Sequence, residues 1–274
     1  MSGVATDLAL IAGRGVLPAE LAAALTAETG AAPLVCAPAG IRPEGLSVDQ
    51  LFHLERLAPF LRDLTRRGIT RVAMVGAVDR PRLDPALIDP ETAQHLPALM
   101  AAMADGDDAT LRAIIALIEG YGLRVQGLAE LAPALLAPAG ELTRPPSDAE
   151  TADARRGAEV LAALGPVDVG QAVVVAGRLV LGVEALFGTD ALLADIAARR
   201  SSREPQTGGV LVKRMKPGQE MRADLPGIGP QTVEAALAAG LTGICLQAGA
   251  VVILERGRTL AAAEAAGLAL WAEP

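Results

Sequence analysis

The residues best suited to chemistry lie in one stretch of the C-terminal half of the chain. Lys213 and Lys216 are the only two lysines among 24 basic residues, and they lie three positions apart in the segment VLVKRMKPGQE. An ammonium group is a compact charge on a mobile stem, so it suits a phosphate oxygen where a planar guanidinium would not fit. The alternative is coincidence in a chain that otherwise uses arginine. The first interpretation predicts that both lysines contact a phosphate group.

Carboxylates lie on both sides of the two lysines. Glu220 and Asp224 follow them, and Asp168, Glu184 and Asp190 precede them. Carboxylates with amide and hydroxyl neighbours, but without His or Cys, suit a hard cation such as Mg²⁺ better than zinc. The alternative is that each carboxylate caps a helix or faces solvent. If they converge, the segment predicts a magnesium site.

Two glycine-containing turns in the N-terminal half are candidates for binding a phosphate or a sugar. Their residues are Gly13, Arg14 and Gly15 after the first apolar run, and Gly76, Asp79 and Arg80 after a later one. Turns that follow parallel strands lie at the ligand-binding edge of an open α/β sheet, and glycine lets a ligand approach the backbone. The alternatives are a simple tight turn and a surface salt bridge between Asp79 and Arg80. Pro18 stands where a dinucleotide fingerprint needs its third glycine.

The elements that must position these residues differ between the two halves. In the first half, short apolar runs at 8–12, 34–36, 71–75 and 123–126 predict strands, and amphipathic stretches at 18–29, 57–65 and 108–119 predict helices. This alternation is typical of a Rossmann-like, mostly parallel α/β domain. The second half predicts a helix at 149–164, a hairpin from 172–175 and 179–183, helices at 190–199 and 232–239, and strands at 210–212, 244–246 and 251–254. We therefore expect a mixed α+β C-terminal domain.

A linker is predicted at residues 138–147. This stretch contains three prolines and loses the periodicity of its surroundings, as linkers between domains commonly do. The prediction gives an N-terminal domain at 1–137 and a C-terminal domain at 148–274.

Composition excludes several classes of protein. The net charge is −8 and aromatic residues make up 2% of the chain, so neither the phosphate backbone of a duplex nor stacked bases would find a binding surface. The two cysteines are far apart and only two histidines are present, which favours a reducing cytoplasm over a disulfide-bonded or zinc-bound protein. Residues 235–254 are uncharged but contain three glycines. We interpret them as helix, turn and buried strand, not as a membrane span.

Several motifs together resemble one enzyme family. These are Gly209–Gly229 around the lysines, Asp168–Gln171, Val183–Asp190, Ile11–Pro18, Val75–Pro81 and Gly106–Asp108. In combination they resemble the LpxI-type UDP-2,3-diacylglucosamine pyrophosphatases of the lipid A pathway, and the resemblance covers nearly the whole chain. Two positions depart from the pattern: Phe187 stands where an acidic residue is expected, and Glu220 stands where aspartate is expected. The first departure weakens Glu184 and Asp190 as metal ligands, whereas the second keeps the charge.

The resemblance implies two domains that face each other across a cleft, an activity and a set of site residues. The expected reaction is hydrolysis of the pyrophosphate of UDP-2,3-diacylglucosamine to 2,3-diacylglucosamine 1-phosphate (lipid X) and UMP, with attack favoured at the phosphorus on the sugar side and Mg²⁺ or another divalent cation as cofactor. Asp224, Lys213 and Lys216 are the expected catalytic residues. The expected metal ligands are Asp224, Glu220, Asp190 and Glu184. The expected substrate-binding residues are Gly13, Arg14, Gly15, Gly76, Asp79, Arg80, Asp107, Asp108, Gln171, Thr189 and Gln219.

The resemblance also implies which domain binds each part of the substrate and where the protein is located. The N-terminal domain would bind the nucleotide, and the C-terminal domain would bind the acyl chains. The protein would be cytoplasmic and associated peripherally with the inner membrane. The sequence leaves a homodimer open. A protein that binds a UDP-sugar or a lipid without cleaving it, and a nucleotide-dependent oxidoreductase, are the alternatives.

Overall fold

The chain folds into two compact units, and each unit consists of two separate stretches of the sequence. The structure, a computed structural model, describes residues 6–78 and 83–274. The N-terminal unit runs to Ala132 and also includes Glu220–Asp224, while the C-terminal unit comprises Pro133–Gln219 and Leu225–Pro274. A short segment from late in the chain therefore packs as part of the N-terminal unit.

A five-stranded parallel sheet forms the centre of the N-terminal unit, as the alternating pattern predicted. Its strands lie in the order β3-β2-β1-β4-β5. They are β1 (Leu8–Ala12), β2 (Leu34–Pro38), β3 (Gln50–Phe52), β4 (Arg71–Val75) and β5 (Arg124–Val125); the helices are α1 (Leu17–Thr29), α2 (Leu57–Arg66), α3 (Pro90–Asp105), α4 (Asp107–Gly120) and α5 (Leu128–Leu131). Strand order reverses between β1 and β4, so the crevice where such sheets bind ligands lies at the carboxyl ends of these two strands.

The core of this unit packs α2 and α4 against the sheet. Residues 57, 60, 61 and 64 of α2 are all buried, which is the spacing of one helix face. Phe60 stacks on Phe52 of β3 with ring centroids 4.0 Å apart, and Ile115 and Ile118 of α4 join the same cluster. This packing gives the loops at the strand ends a rigid support.

Helix α3 is an element that the sequence analysis did not predict. Asp89 caps its N-terminus by accepting bonds from the backbone N–H groups of Glu91 and Thr92, and Pro90 occupies its first turn. The interior Pro97 and a mostly exposed surface conceal the helix, since Thr92 is its only buried residue. The Asp-Pro-Glu start was nonetheless a usable signal.

The C-terminal unit contains a mixed sheet, which confirms the predicted mixed architecture. Its six strands lie in the order β6-β13-β11-β9-β7-β8; β9, β11 and β13 are mutually parallel, and the other pairings are antiparallel. The strands are β6 (Gly140–Glu141), β7 (Ala172–Ala176), β8 (Leu179–Val183), β9 (Val210–Lys213), β11 (Gly243–Gln247) and β13 (Ala269–Glu273), with β10 (Gly227–Ile228) and β12 (Val252–Ile253) forming a separate pair. The helices are α6 (Asp148–Leu164), α7 (Gly188–Arg199), α8 (Pro230–Ala238) and α9 (Arg256–Ala265).

The structure does not show a linker at residues 138–147. The division between the units falls at Ala132 and Pro133, and β6 pairs with β13 at the edge of the C-terminal sheet. The Thr143 hydroxyl donates a bond of 2.8 Å to the Leu268 carbonyl. The stretch with the prolines and the lost periodicity thus contains a short edge strand that side-chain contacts anchor. Composition alone cannot distinguish such a strand from a linker.

An ion pair between a half-buried arginine and a buried carboxylate fixes the same segment to the sheet. The Arg144 guanidinium donates two bonds to the Glu150 carboxylate, at 2.7 and 3.0 Å, and a third of 3.0 Å to the Thr242 carbonyl. Glu150 also completes a capping box with Ser147 at the start of α6. Burial raises the pKa of Glu150, but the bonds from Arg144 and Ser147 outweigh it and lower the pKa to about 2.

The uncharged stretch at 235–254 folds as predicted. It contains the end of α8, then β11 and β12. Among the residues that the structure describes, no helix is both long and apolar enough to cross a membrane.

Candidate functional site

The two glycine turns of the N-terminal unit meet at the carboxyl ends of β1 and β4. The Gly13 N–H donates to the Val75 carbonyl at 2.8 Å, and Arg14 and Ala77 exchange backbone hydrogen bonds. A Cβ added to Gly13 would lie 2.5 Å from the carbonyl carbon and oxygen of Gly76. Only glycine therefore fits at position 13 without moving the backbone.

Gly76 and Gly15 have backbone conformations that also favour glycine. Their φ angles are +91° and +89°, in the region that L side chains seldom adopt. A Cβ on Gly76 would lie 2.7 Å from the Arg14 carbonyl oxygen, whereas the space around Gly15 is open. The structure thus brings together four residues predicted from the sequence, namely Gly13, Arg14, Gly15 and Gly76. Asp79 and Arg80 lie outside the described residues.

The N-terminus of α4 carries Asp107 and Asp108, and Asp108 holds the late segment of the chain. Its carboxylate accepts a 2.7 Å bond from the Glu220 backbone N–H and another of 2.7 Å from the Arg112 side chain. Both of these bonds are protein contacts. Asp108, predicted to bind substrate, therefore anchors Glu220–Asp224 within the N-terminal unit.

Ion pairs hold the segment Glu220–Asp224 in place. The Arg222 guanidinium donates to both oxygens of Glu220 at 2.9 Å and to Glu119 of α4 at 2.9 Å. The bond from Arg222 lowers the pKa of the Glu220 carboxyl to about 2. A Cβ on Gly127 would come within 2.9 Å of the Arg222 Cα. The segment is thus packed tightly as well as paired.

Asp224 ends this segment on an exposed position. Its backbone N–H donates to the Glu220 carbonyl at 3.2 Å, which closes one turn. The pairing of Glu220 and Arg222 fixes the start of that turn. The backbone that carries the Asp224 carboxylate is therefore set by contacts made four residues earlier.

Lys213 is buried in the C-terminal unit at the end of β9. Its ammonium group donates to the Thr189 hydroxyl at 2.7 Å and to the Gly227 carbonyl at 2.8 Å. Thr189 in turn donates to Glu184 at 2.6 Å. Burial lowers the pKa of Lys213, and the charges of Glu184 and Asp190 oppose that shift. Lysine, hydroxyl and carboxylate therefore form a connected chain.

Lys216 has a more exposed environment on the loop after β9. Its ammonium group pairs with Asp168 at 2.5 Å. On the same loop, the side-chain oxygen of Gln219 accepts bonds from the Gln171 amide at 2.8 Å and from the Lys216 backbone N–H at 3.2 Å. Gln171 and Gln219, both predicted to bind substrate, therefore shape the loop that presents Lys216.

The described carboxylates do not form a three-ligand metal site. Within residues 6–78 and 83–274, no group of three or more His, Cys, Asp or Glu side chains is arranged to hold an ion. Glu184 accepts a bond from Thr189, and Glu220 pairs with Arg222. Glu220 and Asp224 belong to the N-terminal unit, whereas Glu184 and Asp190 belong to the C-terminal unit. The candidate metal ligands are thus divided between the two units.

Three residues of the site were not found from the sequence. Arg112 and Glu119 lie on α4, whereas Arg222 belongs to the segment that carries Asp224. Arg112 pairs with Glu220 across 108 positions of the chain, and Glu119 pairs with Arg222 across 103. No local spacing relates α4 to a segment so distant in sequence. A signal was available only in the charges themselves, since α4 begins with two acidic residues and Arg222 follows Glu220 by two positions.

These features define a two-domain α/β protein with an anion-compatible turn crevice in one domain and a buried lysine in the other. Two family models match the chain: the LpxI N-terminal domain over residues 7–135 and the LpxI C-terminal domain over residues 138–271. The chain is also 35% identical over 270 residues to the UDP-2,3-diacylglucosamine pyrophosphatase LpxI of Caulobacter vibrioides, covering 95% of each protein. The chain therefore belongs to the LpxI family.

Proposed function

We propose that this chain hydrolyses the pyrophosphate bond of UDP-2,3-diacylglucosamine, giving lipid X and UMP. The observation that carries the proposal is the 35% identity to the Caulobacter enzyme across 95% of both chains, spanning both domains. In this reaction water attacks one phosphorus, the bridging P–O bond breaks, and two phosphomonoesters leave. The enzyme must neutralise phosphoryl charge and orient the water.

The glycine turns of the N-terminal unit are proposed to bind the nucleotide end of the substrate. Gly13, Gly15 and Gly76 present backbone without side chains at the strand-order reversal, where open α/β sheets bind nucleotides. The fingerprint for a dinucleotide is incomplete because position 18 is proline. This favours a mononucleotide moiety over an oxidoreductase cofactor.

Lys213 and Lys216 are proposed to contact the phosphoryl groups. The Lys213 ammonium lies beside a hydroxyl and a carbonyl in a buried environment, where a positive charge acts on a phosphate more strongly than in water. Lys216 is the more exposed of the two. Its pairing with Asp168 must give way, at least in part, if it is to bind a phosphate oxygen.

Asp224 is proposed to take a proton from the attacking water. It is an exposed carboxylate on a fixed turn, and it precedes by three positions the Gly227 carbonyl that Lys213 contacts. A carboxylate held in this way can act as a general base. A divalent cation, when bound, would supply further neutralisation of phosphoryl charge. Mg²⁺ as the cofactor stays a prediction, and hydrolysis that persists unchanged in excess chelator would contradict it.

Cytoplasmic location and peripheral association with the inner membrane are proposed from the substrate, whose acyl chains lie in a bilayer. High salt or mild detergent should release the protein from membranes. Retention after alkaline carbonate extraction would contradict a peripheral association. The sequence leaves a homodimer open, and sedimentation analysis would establish the oligomeric state.

The experiment that tests the function is incubation of the purified chain with UDP-2,3-diacylglucosamine, followed by separation of the products. We expect lipid X and UMP in equal amounts. A protein that only binds the lipid would return the substrate intact. Reduction or oxidation of an added nicotinamide would instead indicate the oxidoreductase alternative.

A further inference from the structure

The ammonium group of Lys213 has more donors than the protein uses. It donates to the Thr189 hydroxyl at 2.7 Å and to the Gly227 carbonyl at 2.8 Å. A lysine ammonium carries three donors, so one N–H of Lys213 has no acceptor among residues 6–78 and 83–274. Because two bonds hold the group in place, the tetrahedral geometry of the nitrogen fixes the direction of this third N–H.

Lys213 and the nearby Glu184 carboxylate are separated by a hydroxyl. In the part of the chain that the structure describes, Lys213 forms no ion pair, and Thr189 connects it to Glu184 through bonds of 2.7 and 2.6 Å. Lys216, by contrast, pairs directly with Asp168 at 2.5 Å. A directly paired carboxylate would neutralise more of the charge. The intervening hydroxyl therefore leaves more of the Lys213 charge available to a phosphoryl group.

The Thr189 hydroxyl has no proton left for a ligand while this chain of bonds is intact. A lysine ammonium can only donate and a carboxylate can only accept. The oxygen of Thr189 therefore accepts from Lys213, and its single proton goes to Glu184. Thr189 is also buried, with 9% of its surface exposed. The hydroxyl is thus placed to act on Lys213, whereas the sequence suggested that it binds substrate.

The backbone that carries Lys213 and Glu184 is fixed at one end of the C-terminal sheet. Lys213 lies beside Ala172 in the pairing of β9 with β7. The Ala172 carbonyl accepts a bond of 2.8 Å from the Glu184 N–H. A Cβ on Gly170 would lie 2.1 Å from the Glu184 carbonyl oxygen, so the chain packs tightly there. The lysine and the carboxylate therefore start from backbone positions with little freedom.

Helix α7 brings Thr189 to the same end of the sheet. Thr189 lies in the first turn of this helix. A Cβ on Gly182 of β8 would lie 2.6 Å from the side chain of Leu192, so the missing side chain lets the helix pack directly on the strand. This close packing of α7 on β8 determines where the Thr189 hydroxyl lies.

We propose that Thr189 is a positioning residue, whose hydroxyl holds Lys213 so that its third N–H donates to a phosphoryl oxygen of the substrate. Glu184 fixes the hydroxyl by accepting its proton. A donor that is already oriented needs no reorganisation when charge develops on the phosphoryl group. The inference rests on the proposed hydrolysis, and it gives Thr189 a role other than binding the substrate.

Isotope labelling tests the positioning independently of activity, because the chain has only two lysines. Lysine labelled with ¹⁵N at Nζ should give two ammonium signals in a proton–nitrogen correlation spectrum, and Lys216→Arg identifies the signal of Lys213. We expect the Lys213 protons to exchange with water at least about tenfold more slowly than those of Lys216. Thr189→Val should remove most of this protection, and Thr189→Ser should retain it. Equal exchange in the parent and in Thr189→Val would overturn the proposal, as would a missing Lys213 signal in the parent.

Kinetics tests the consequence for the reaction. Thr189→Val should lower kcat at least about tenfold with KM within about twofold of the parent, and Thr189→Ser should restore most of kcat. Thr259→Val is the matched control, because Thr259 is also a buried threonine in a helix of the C-terminal unit and its hydroxyl donates to the Leu254 carbonyl. This control should leave kcat near the parental value. Circular dichroism establishes folding, and Thr189→Ala replaces the valine variant if that variant does not fold.

The outcomes separate this inference from its alternatives. A raised KM with unchanged kcat in Thr189→Val would assign Thr189 to substrate binding and overturn the proposal, as would an equal fall of kcat in Thr259→Val. Protection of Lys213 that depends on Thr189, in a chain that does not cleave UDP-2,3-diacylglucosamine, would refute the reaction but not the positioning of the lysine. Cleavage together with exchange that does not depend on Thr189 would refute the positioning and leave the reaction intact.

Discussion

At the carboxyl ends of β1 and β4, contacts between backbone groups determine the structure of the N-terminal unit. Around Lys213 in the C-terminal unit, hydrogen bonds between side chains determine it. Gly13 and Gly76 approach each other so closely that neither has room for a Cβ. Lys213, Thr189 and Glu184 instead form a chain of hydrogen bonds in a buried environment. The structure of the first region requires glycines, which have no side chain. The structure of the second region requires charged and polar side chains.

This difference determines how each region can fail. A backbone cradle loses its shape when any side chain is added, and the loss does not depend on pH. A buried charge tolerates a change of shape poorly too, but it also responds to the protonation of its neighbours. Variants can therefore separate the two regions.

Breaking the glycine cradle should have the largest effect on stability. Gly13→Ala places a Cβ 2.5 Å from the Gly76 backbone, so the two turns must separate, at a cost on the order of 3 kcal/mol of unfolding free energy. Gly120→Ala, in open space in the same unit, is the control and should change stability by less than about 1 kcal/mol. Urea unfolding measures both. Equal stability of the two variants would show that the turns yield easily.

Acid should separate two ion pairs that share a low pKa. Glu150, 7% exposed, and Asp7, 47% exposed, both have carboxyl pKa values near 2. Because these pKa values are lowered on folding, the stability they contribute is present above the unfolded value near 4.5 for Glu150 and is lost as pH falls toward 2.

Glu150 should contribute about 3 kcal/mol over that range, and the exposed Asp7 less than about 1 kcal/mol. Urea midpoints of Glu150→Gln and Asp7→Asn, measured between neutral pH and pH near 2, test this difference. The gap between parent and Glu150→Gln should close in acid. A gap that stays constant with pH would show that the pair of Arg144 and Glu150 acts through shape alone.

Exchanging either lysine for arginine should reduce activity. Lys213→Arg puts a planar group into the buried space beside Thr189 and Gly227, and we expect kcat/KM to fall at least about tenfold, or 1.4 kcal/mol. Lys216→Arg should cost less because Lys216 is more exposed. Arg155→Lys is the surface control. Near-parental kinetics in both lysine variants would indicate that the position of the two lysines is a coincidence and that neither contacts a phosphate group.

Loosening Asp108 should have a small effect on activity. Asp108→Ala removes the acceptor of the Glu220 N–H, so the turn that carries Asp224 should lose definition and kcat should fall several-fold, by about 1 kcal/mol, with KM little changed. Asp108→Asn retains an acceptor oxygen and should restore most of kcat. A rise in KM without a fall in kcat would mean that Asp108 binds substrate, as the sequence suggested.

The sequence was most informative where local pattern and topology agree. Continuous apolar runs predicted β1 and β4, and the parallel alternation required that the turns after them share one edge of the sheet. The sequence pattern therefore sufficed to place Gly13 and Gly76 at one site. The mixed C-terminal sheet followed from the tight connection between β7 and β8.

The sequence was least informative where contacts join distant segments. The bond between Asp108 and Glu220 spans 112 positions, so no window of the sequence contains it. The same holds for the anchoring of 138–147 to β13, which overturned the linker prediction. Glu220 shows why the sequence could not assign the site residues. Its carboxylate suggested a metal ligand, but in the structure that carboxylate pairs with Arg222.

The most direct test of the proposed hydrolysis is the behaviour of Asp224→Ala with UDP-2,3-diacylglucosamine. Binding should rest on the glycine turns, the lysines and the apolar surface, so the variant should bind the substrate with near-parental affinity. Turnover should fall by several kcal/mol of transition-state stabilisation, about 3 or more, as when a catalytic electrostatic group is removed. If the folded variant cleaves the substrate within about tenfold of the parent rate, a margin of 1.4 kcal/mol, Asp224 is not the base and the account is contradicted.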